Sequence, residues 1–553
     1  MIEKYLEKTE FESYEDFKNN YKLKVPKNFN FAYDVVDTWA AEDQNKRALL
    51  YTDDSGAELF YTFADLKKLS DRCANAFLGL GIQKGDVVML VLKQRAEVWI
   101  SILALHKIGA VVIPATFQLM PKDIVYRCNS ANVKMIVCVD EPELLENISA
   151  ARSACKTLRH IGVVGTNIPD GFFDFKKLIA ESSEKFTRPV GKLASENSDT
   201  MLIYFSSGTT GMPKMIVHDY TYPLGHITTA AYWQEAQNNT LHLTMSDSGW
   251  AKFGWGKIYG QWICGATIVA YDTEKFIPIK LLELIPRLKI TTFCAPPTVY
   301  RFLIKENLEA YDFSSVQKAC TAGEPLNPEV FDRFKEKTGL EICEGFGQSE
   351  TTVMLANYPF RPKRPGSIGL PSPIYDIDIV GEDGNSCEDG IVGSIVVKSL
   401  KENYPAGLFK RYLDDDAANT SAFKNGTYNT GDTAWRDSDG YFYFVGRADD
   451  IIKCSGYRIG PFEVESALLT HKSVLECAVT SAPDEVRGQV VKATVVLAKG
   501  FAASDALAKE LQEHVKKTTA PYKYPRIVEF VKELPKTVSG KIKRGQIRET
   551  KPS

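Results

Sequence analysis

The sequence has no excess of charge of either sign. Its 67 lysine and arginine and 70 aspartate and glutamate side chains give a formal net charge of −3. Proteins that bind nucleic acid or an anionic membrane surface through electrostatics carry a basic excess or a basic patch. The balance therefore predicts neither partner, and any polyanion that the protein binds must be held by a local arrangement of residues.

Metal and redox motifs are also lacking. The eleven cysteines are scattered, with no pair at the spacing of a metal site or a redox motif. The seven histidines include no pair four residues apart and no cluster with cysteine. A zinc site is therefore not expected, and the cysteines are expected to be reduced and buried. The Gly-x-Ser-x-Gly elbow of serine hydrolases is absent as well.

The sequence has no long apolar run and no recognisable targeting segment. Residues 1–17 are acidic and polar, without the basic flank and apolar stretch of a signal peptide. No apolar run reaches the length of a membrane span. We therefore expect a cytoplasmic protein without a membrane span, although an organelle presequence that had already been removed would leave no trace here.

Apolar residues are abundant, at 44% of 553, so the chain can bury a large core in two or more domains. The strand-like run Val87–Leu92 precedes a helical stretch, Ala96–Ile108, which Gly109 is expected to end. Short β-branched runs at 111–114 and 133–139 continue the alternation. This pattern predicts α/β layers.

The composition changes near residues 441–452, where an aromatic strand ends in a charged cluster. Beyond it lie strand candidates at 475–480, 492–497 and 526–531, and a helix with an apolar face over 507–515. These features predict a small α+β domain attached by a short, charged connector.

The strongest local signal is the loop Ser206–Lys214, which follows a strand-like run at 201–205. Glycines let the main chain approach an anion closely, hydroxyl and N–H groups donate hydrogen bonds, and Lys214 supplies positive charge. A Walker loop is excluded because Met212 and Pro213 separate the last glycine from the lysine. The loop predicts phosphate binding, with a flexible Ser/Gly loop as the alternative.

This loop is one of six motifs by which the sequence resembles the adenylate-forming superfamily of acyl-CoA synthetases, luciferases and peptide-synthetase adenylation domains. In that family's order, the motifs are Ser206–Lys214, Gly323–Pro325, Gly345–Glu350, Thr430–Asp432, Gly446–Asp450 and Pro535–Lys541. The resemblance implies an α/β fold with a large, multi-layer N-terminal AMP-binding domain, residues 1–448. It also implies a small, mobile α+β C-terminal domain, residues 449–553, with a hinge at Asp449.

Within the superfamily, the chain is similar to medium-chain and short branched-chain acyl-CoA synthetases at residues 247–250, 252–257, 344–348 and 457–463. The resemblance implies that ATP, a short, medium or branched fatty acid and CoA give acyl-CoA, AMP and pyrophosphate through an acyl-adenylate. ATP, Mg²⁺ and CoA are the implied ligands, and a homodimer is compatible with the sequence.

Two alternatives stand beside this function. An acetate-specific synthetase is disfavoured by Gly347, because the acetate branch has tryptophan at this place. A nucleotide-binding module without catalysis is disfavoured by the joint presence of Lys541 and Glu350.

The resemblance gives catalytic roles to three residues. Glu350 is a lone acid in a polar, Gly-rich turn and would hold Mg²⁺ against the ATP phosphates. Lys214 would hold the phosphates, and Lys541 would span the attacking carboxylate and the α-phosphate, offsetting their repulsion. Taken alone, Glu350 would be an ordinary surface acid and Lys541 part of a basic tail.

The nucleotide site implied by the resemblance has an aromatic wall and a ribose contact. Phe346 offers a face to adenine where relatives usually have tyrosine, Asp432 can accept both ribose hydroxyls, and Arg447 can direct its donor fork at the ribose or α-phosphate. The implied ATP and AMP contacts are Ser206, Ser207, Gly208, Thr209, Thr210, Gly211, Lys214, Gly323, Glu324, Pro325, Glu344, Gly345, Phe346, Gly347, Gln348, Ser349, Asp432, Arg447, Arg458 and Lys541.

The resemblance also implies sites for CoA and for the acyl group. The implied CoA contacts are Gln118, Ser455, Gly456, Tyr457, Arg487, Lys516, Tyr524 and Arg526. The implied acyl pocket is lined by Trp233, Lys252, Trp255 and Gly347. Basic residues on a small domain are otherwise usually solubilising.

Overall fold

The computed structural model describes residues 1–206, 212–454, 457–484, 486–536 and 542–549. Its strands are β1 (Arg47–Asp53), β2 (Glu58–Thr62), β3 (Val87–Val91), β4 (Val111–Pro114), β5 (Val133–Val139), β6 (His160–Val164), β7 (Phe173–Asp174), β8 (Thr200–Phe205), β9 (Met215–Asp219), β10 (Leu241–Thr244), β11 (Thr267–Asp272), β12 (Thr292–Ala295), β13 (Lys318–Ala322), β14 (Ile342–Phe346), β15 (Leu355–Ala356), β16 (Leu370–Pro371), β17 (Ile377–Val380), β18 (Gly393–Val397), β19 (Arg411–Tyr412), β20 (Phe423–Lys424), β21 (Thr427–Arg436), β22 (Phe442–Arg447), β23 (Ile452–Cys454), β24 (Tyr457–Ile459), β25 (Val474–Asp484), β26 (Gly488–Leu497) and β27 (Ile527–Val531).

The α-helices of the same ranges are α1 (Tyr14–Asn20), α2 (Thr38–Glu42), α3 (Phe63–Gly79), α4 (Glu97–Ile108), α5 (Pro121–Ser130), α6 (Pro142–Ala151), α7 (Phe175–Glu181), α8 (Tyr222–Ile227), α9 (Ala251–Gly256), α10 (Tyr259–Cys264), α11 (Pro278–Leu288), α12 (Pro297–Leu303), α13 (Pro328–Thr338), α14 (Asp416–Ala422), α15 (Pro461–Leu469), α16 (Asp505–Thr518) and α17 (Arg544–Glu549). Two π-helical segments, Ala32–Asp37 and Thr228–Trp233, adjoin α2 and α8. Among the described helices, none is both long and apolar enough to cross a bilayer.

Two large sheets form the first part of the fold. One has the order β16-β15-β14-β13-β12-β10-β11-β1-β2, and its strands from β14 to β1 run parallel. The other has the order β19-β9-β8-β4-β3-β5-β6-β7, with β9 and β19 antiparallel at one edge. Helices connect most of the successive parallel strands, as is usual for parallel pairing, and the predicted α/β architecture is confirmed.

Several elements predicted from the sequence have the expected bounds. β4 and β5 span 111–114 and 133–139, as predicted, and β3 ends one residue before Leu92. Gly109 ends α4 with a φ of 75°, a left-handed conformation that glycine adopts without strain.

The remaining strands form two smaller sheets. The third sheet pairs β17, β18, β21 and β20, with β22 on β21. The fourth contains β23 to β27 and, with α15 and α16, encloses a separate apolar core that includes Leu511 and Val515. The predicted strand 475–480 is part of the longer β25. The predicted domain boundary at 448/449 lies between β22 and β23 and stays a prediction.

Candidate active site

A cleft of about 1890 Å³ lies between the large sheets and the fourth sheet. Most of the residues predicted to contact the nucleotide line it: Ser206, Lys214, Gly323, Glu324, Pro325, Glu344, Gly345, Phe346, Gly347, Gln348, Ser349, Asp432 and Arg447. The predicted Mg²⁺ ligand Glu350 lines it as well. Asp449 is also on its wall. The predicted contacts Ser207, Gly208, Thr209, Thr210, Gly211 and Lys541 lie outside the described residues, as does the side chain of Arg458.

The predicted phosphate loop is closed at its base by two hydrogen bonds. The backbone N–H of Ser206 donates to the carbonyl of Lys214 at 3.0 Å, and the N–H of Lys214 donates to Oγ of Ser206 at 3.1 Å. Because β8 and β9 pair antiparallel, Ser206 and Lys214 are held side by side where these two strands meet.

Lys214 and Glu350 meet at a tyrosine that the sequence did not point to. Nζ of Lys214 lies 4.7 Å from the centre of the Tyr412 ring, and the Tyr412 hydroxyl donates to Oε1 of Glu350 at 2.8 Å. Burial, and then the charge of Glu350, raise the pKa of Tyr412 far above its usual range. The phenol therefore stays protonated and orients the Glu350 carboxylate.

Gln348 connects the Gly345–Glu350 motif to Asp432. Its Nε2 donates to Oδ2 of Asp432 at 2.6 Å and to the carbonyl of Thr430 at 2.8 Å, while Tyr428 donates to its Oε1 at 2.7 Å. Asp432 is 4% exposed. Arg447 lies opposite Asp432 in the β21–β22 ladder, with Nη1 3.7 Å from Oδ1. These contacts fix one orientation of the Asp432 carboxylate.

A buried histidine, which was not predicted from the sequence, connects β9, the strand after the phosphate loop, to the Gly345–Glu350 motif. His218 on β9 is completely buried, and burial lowers its pKa to about 3. A neutral imidazole donates from one nitrogen, so Nε2–H donates to the Ser349 carbonyl, 2.7 Å away. Ser349 lies between Gln348 and Glu350, so this bond positions both.

A second buried acid lies in the cleft wall. Glu344 on β14 is 4% exposed and accepts the backbone N–H of Leu326 at 3.1 Å. Burial raises its pKa to about 8, which leaves the carboxyl protonated at neutral pH. Its hydrogen bond to Leu326 connects the Gly323–Pro325 segment to β14, which ends at Phe346.

Comparisons with known proteins identify the fold and the family. A family model described as AMP-binding enzyme matches residues 36–413, and one described as AMP-binding enzyme C-terminal domain matches residues 463–541. The chain belongs to the AMP-binding enzyme family. The predicted resemblance is therefore confirmed.

Relatives of known activity class cover nearly the whole chain. Acyl-coenzyme A synthetase ACSM3 of Mus musculus is 42% identical over 97% of this chain and 93% of its own length. A Brucella canis acyl-CoA synthetase structure is 32% identical, with a TM-score of 0.72 and coverage of 94% of both chains. The anthranilate CoA ligase AuaEII, solved with anthranoyl-AMP, is 29% identical, with a TM-score of 0.85 over 95% of this chain and 97% of its own. The prediction of an AMP-forming acyl-CoA synthetase is confirmed, and ATP and CoA fit this family as substrates.

The expectation of a cytoplasmic protein is wrong. The mouse, rat and human relatives, at 40–42% identity, are all named mitochondrial. Balanced charge and the lack of a long apolar run describe a folded enzyme in any aqueous compartment, because location is decided by address signals and not by bulk composition.

In this AMP-binding enzyme, the predicted acyl residues pack tightly together. A Cβ at Gly345 would lie 2.6 Å from the Trp233 ring, and one at Gly347 would lie 2.4 Å from the Trp255 ring. The two indoles are 6.2 Å apart and perpendicular. Lys252 donates to the Ala322 carbonyl at 2.8 Å, and burial lowers its pKa. Of the four predicted acyl residues, Gly347 lines the cleft, whereas Trp233, Lys252 and Trp255 do not. The two tryptophans lie behind Gly345 and Gly347.

The predicted CoA residues in the C-terminal part lie on the fourth sheet and next to it, not on the cleft wall. Nζ of Lys516 is 4.2 Å from the centre of the Tyr524 ring, and Arg526 donates to the Tyr524 hydroxyl at 2.6 Å. Arg487 pairs with Asp484 at 4.0 Å. Tyr457 is half exposed and stacks on Tyr522, Gln118 is exposed after β4, and Ser455 and Gly456 lie outside the described residues.

Proposed function

We propose that the cleft converts a short, medium-chain or branched carboxylic acid into its adenylate and then transfers the acyl group to CoA. An unactivated carboxylate resists attack by a thiol because it carries negative charge and a poor leaving group. The carboxylate therefore attacks the α-phosphorus of ATP and releases pyrophosphate, and the CoA thiolate then displaces AMP. The convergence of Lys214, Glu350, Asp432 and Arg447 on one cleft carries this proposal.

The nucleotide would be held at both of its ends. Asp432, oriented by Gln348, would accept the ribose hydroxyls, and Arg447 would donate to the ribose or the α-phosphate. Phe346 would face the adenine. Lys214 and the loop that it closes would hold the β- and γ-phosphates.

Glu350 would hold Mg²⁺ on the phosphates. Mg²⁺ in such sites is bound by one or two carboxylates together with the substrate phosphates. Glu350 fits this requirement because Tyr412 orients it beside Lys214, on the wall of the cleft. When bound, the ion would neutralise charge on the pyrophosphate leaving group.

The packing around Gly345 and Gly347 supports acids of limited length. Trp233 and Trp255 lie directly behind these glycines, so the space on that side is filled by two indoles. The same packing would have to shift for a tryptophan at position 347, the residue expected of an acetate-specific enzyme. Short and branched acids fit this arrangement better than long chains do.

Lys541 would act in the first half-reaction. The segment 537–541 begins after Lys536 and ends before Ile542, and both of these residues line the cleft. The predicted CoA residues of the small domain lie away from the cleft wall. This supports a rotation of domain 449–553 against domain 1–448, about Asp449, between the half-reactions.

A homodimer is a separate proposal, which light scattering tests directly.

A panel of carboxylates tests the substrate class. We expect kcat/KM for AMP formation with CoA to be greater for straight and branched acids longer than acetate, because each added methylene in an apolar pocket gains binding. Acetate and aromatic acids complete the panel, the latter because AuaEII is named for anthranilate. A maximum at acetate would replace the proposal with the acetate-specific alternative.

A further inference from the structure

The chain that joins the third and fourth sheets is held firmly on its N-terminal side. The N–H of Ala448 donates to the carbonyl of Gly431 at 2.8 Å. Just before it, Arg447 lies opposite Asp432 in the β21–β22 ladder, and Thr433 donates to the carbonyl of Gly446 at 2.8 Å. The backbone up to the N–H of Ala448 therefore belongs to the third sheet.

On the C-terminal side, a helix at the far end of the chain holds the next peptide unit. Nη1 of Arg548, on α17, donates to the carbonyl oxygen of Asp449 at 3.1 Å, and Nη2 donates to Oδ1 of Asp450 at 2.7 Å. Arg544, one turn earlier, lies 3.9 Å from Oδ2 of Asp450 and binds both oxygens of Glu465 at 2.7 and 2.8 Å.

α17 is itself fixed to the small domain. Its Ile547 is 4% exposed and packs with Ala478, Val496 and Leu534. The Asp450 side chain is 8% exposed, so its charge depends on these arginines for compensation.

Because peptide units are planar, these contacts define which backbone bonds can rotate between the third sheet and the small domain; we call these bonds the pivot. The carbonyl of Asp449 and the nitrogen of Asp450 form one rigid planar unit, so Arg548 fixes that whole unit to the small domain. Between this unit and the N–H of Ala448, the soft dihedrals are the φ and ψ of Ala448 and Asp449. Two contacts span them: the N–H of Asp450 donates to the carbonyl of Arg447 at 3.0 Å, and Nε of Arg447 lies 3.5 Å from Oδ1 of Asp449.

We propose that Arg548 is a positioning residue that confines the rotation between the half-reactions to Ala448 and Asp449, by keeping the following peptide in the small domain. This inference rests on the proposed function, because it takes the rotation about Asp449 as given. A merely structural ion pair would stabilise the fold without deciding which dihedrals rotate.

The test combines substitutions at both sides of the pivot. Proline fixes φ near −65°, so Asp449→Pro should keep carboxylate-dependent pyrophosphate release and lose thioester formation from supplied adenylate. Adding Arg548→Gln should restore thioester formation about tenfold, because the freed peptide lets rotation move to Asp450. Lys509→Gln, an exposed change on α16 with the same loss of charge, should restore nothing.

Asp450→Asn provides a second route to the same result. It removes the charged partner of Arg548 and keeps the size of the side chain. Combined with Asp449→Pro, it should also restore thioester formation. The proposal can therefore be tested even if the Arg548 variant misfolds. If Asp449→Pro separates the half-reactions but neither second change restores the lost one, Arg548 does not define the pivot. If Asp449→Pro lowers both half-reactions together, the hinge and the inference both fail, whereas absence of any carboxylate-dependent pyrophosphate release refutes the proposed function itself.

Discussion

A Cβ atom on Gly347 would lie 2.4 Å from Cη2 of Trp255 and 2.6 Å from the carbonyl oxygen of Thr352. Cβ atoms do not approach other atoms so closely, so any side chain at position 347 must displace both the Trp255 indole and the Thr352 backbone. The packing around Gly347 therefore leaves no room for a larger residue at this position.

This contact determines what Gly347→Trp should do. We expect the new indole to force Trp255 aside and to shorten the acyl space, so kcat/KM should fall more for butyrate and hexanoate than for acetate. Steady-state AMP formation over the acid series measures the effect. Trp255→Ala, which opens space at the same place, should shift the preference in the opposite direction. An equal loss for all acids in Gly347→Trp would mean that Gly347 does not line the acyl pocket.

Lys541→Ala should separate the two half-reactions. The ammonium is proposed to act only while two anions approach each other, so its loss should slow adenylate formation by several kcal/mol of barrier, roughly 10²- to 10³-fold. Thioester formation from supplied adenylate should survive. Lys532→Ala, an exposed change in the same domain, serves as the control. Equal losses in both steps would assign Lys541 a structural role.

Substitution of His218 should lower activity although His218 does not line the cleft, because it positions Ser349 and its neighbours. His218→Phe removes the donor to the Ser349 carbonyl and should lower kcat/KM for pyrophosphate release about 10- to 100-fold, the effect of leaving one buried carbonyl unpaired. The Mg²⁺ concentration for half-maximal rate should rise as well, because Glu350 adjoins Ser349. His218→Gln can place an amide near the position of Nε2 and should recover much of both values. If Phe and Gln behave alike, the hydrogen bond is not what matters.

Glu344 should make the stability of the protein depend on pH. Burial raises its pKa from 4.5 to about 8, so between these values the folded state holds a proton that the unfolded state has released. Stability from this group is therefore present at low pH and declines as pH rises through that window. Glu344→Gln should remove this part of the decline, so its Tm relative to the unmodified protein should increase from pH 5 to pH 8. A constant difference in Tm would contradict the raised pKa.

The sequence predicted the parts of the fold that depend on local signals. Strand β5, helix α4 and the left-handed Gly109 follow from β-branched runs, helical periodicity and the freedom of glycine. The motif residues that line the cleft were found because each motif is contiguous in sequence. The small domain was visible as a change in composition.

What the sequence did not predict depends on contacts between distant segments. Tyr412 reaches Glu350 only because β19 pairs with β9 at the edge of the sheet, and a two-residue strand carries no periodicity. His218 looks like any residue of a buried strand until Ser349 is placed beside it. The packing of Trp233 and Trp255 against two glycines likewise appears only when β14 is positioned against the helical segments.

The most direct test of the two-step mechanism is a single-turnover experiment with and without CoA. Enzyme, ATP, Mg²⁺ and a preferred acid should first give pyrophosphate and bound acyl-adenylate in equal amounts, and added CoA should then convert the adenylate to acyl-CoA and AMP. Quenched samples analysed by mass spectrometry measure all four species. Formation of acyl-CoA with ADP and phosphate, or with no adenylate at any time, would contradict the account.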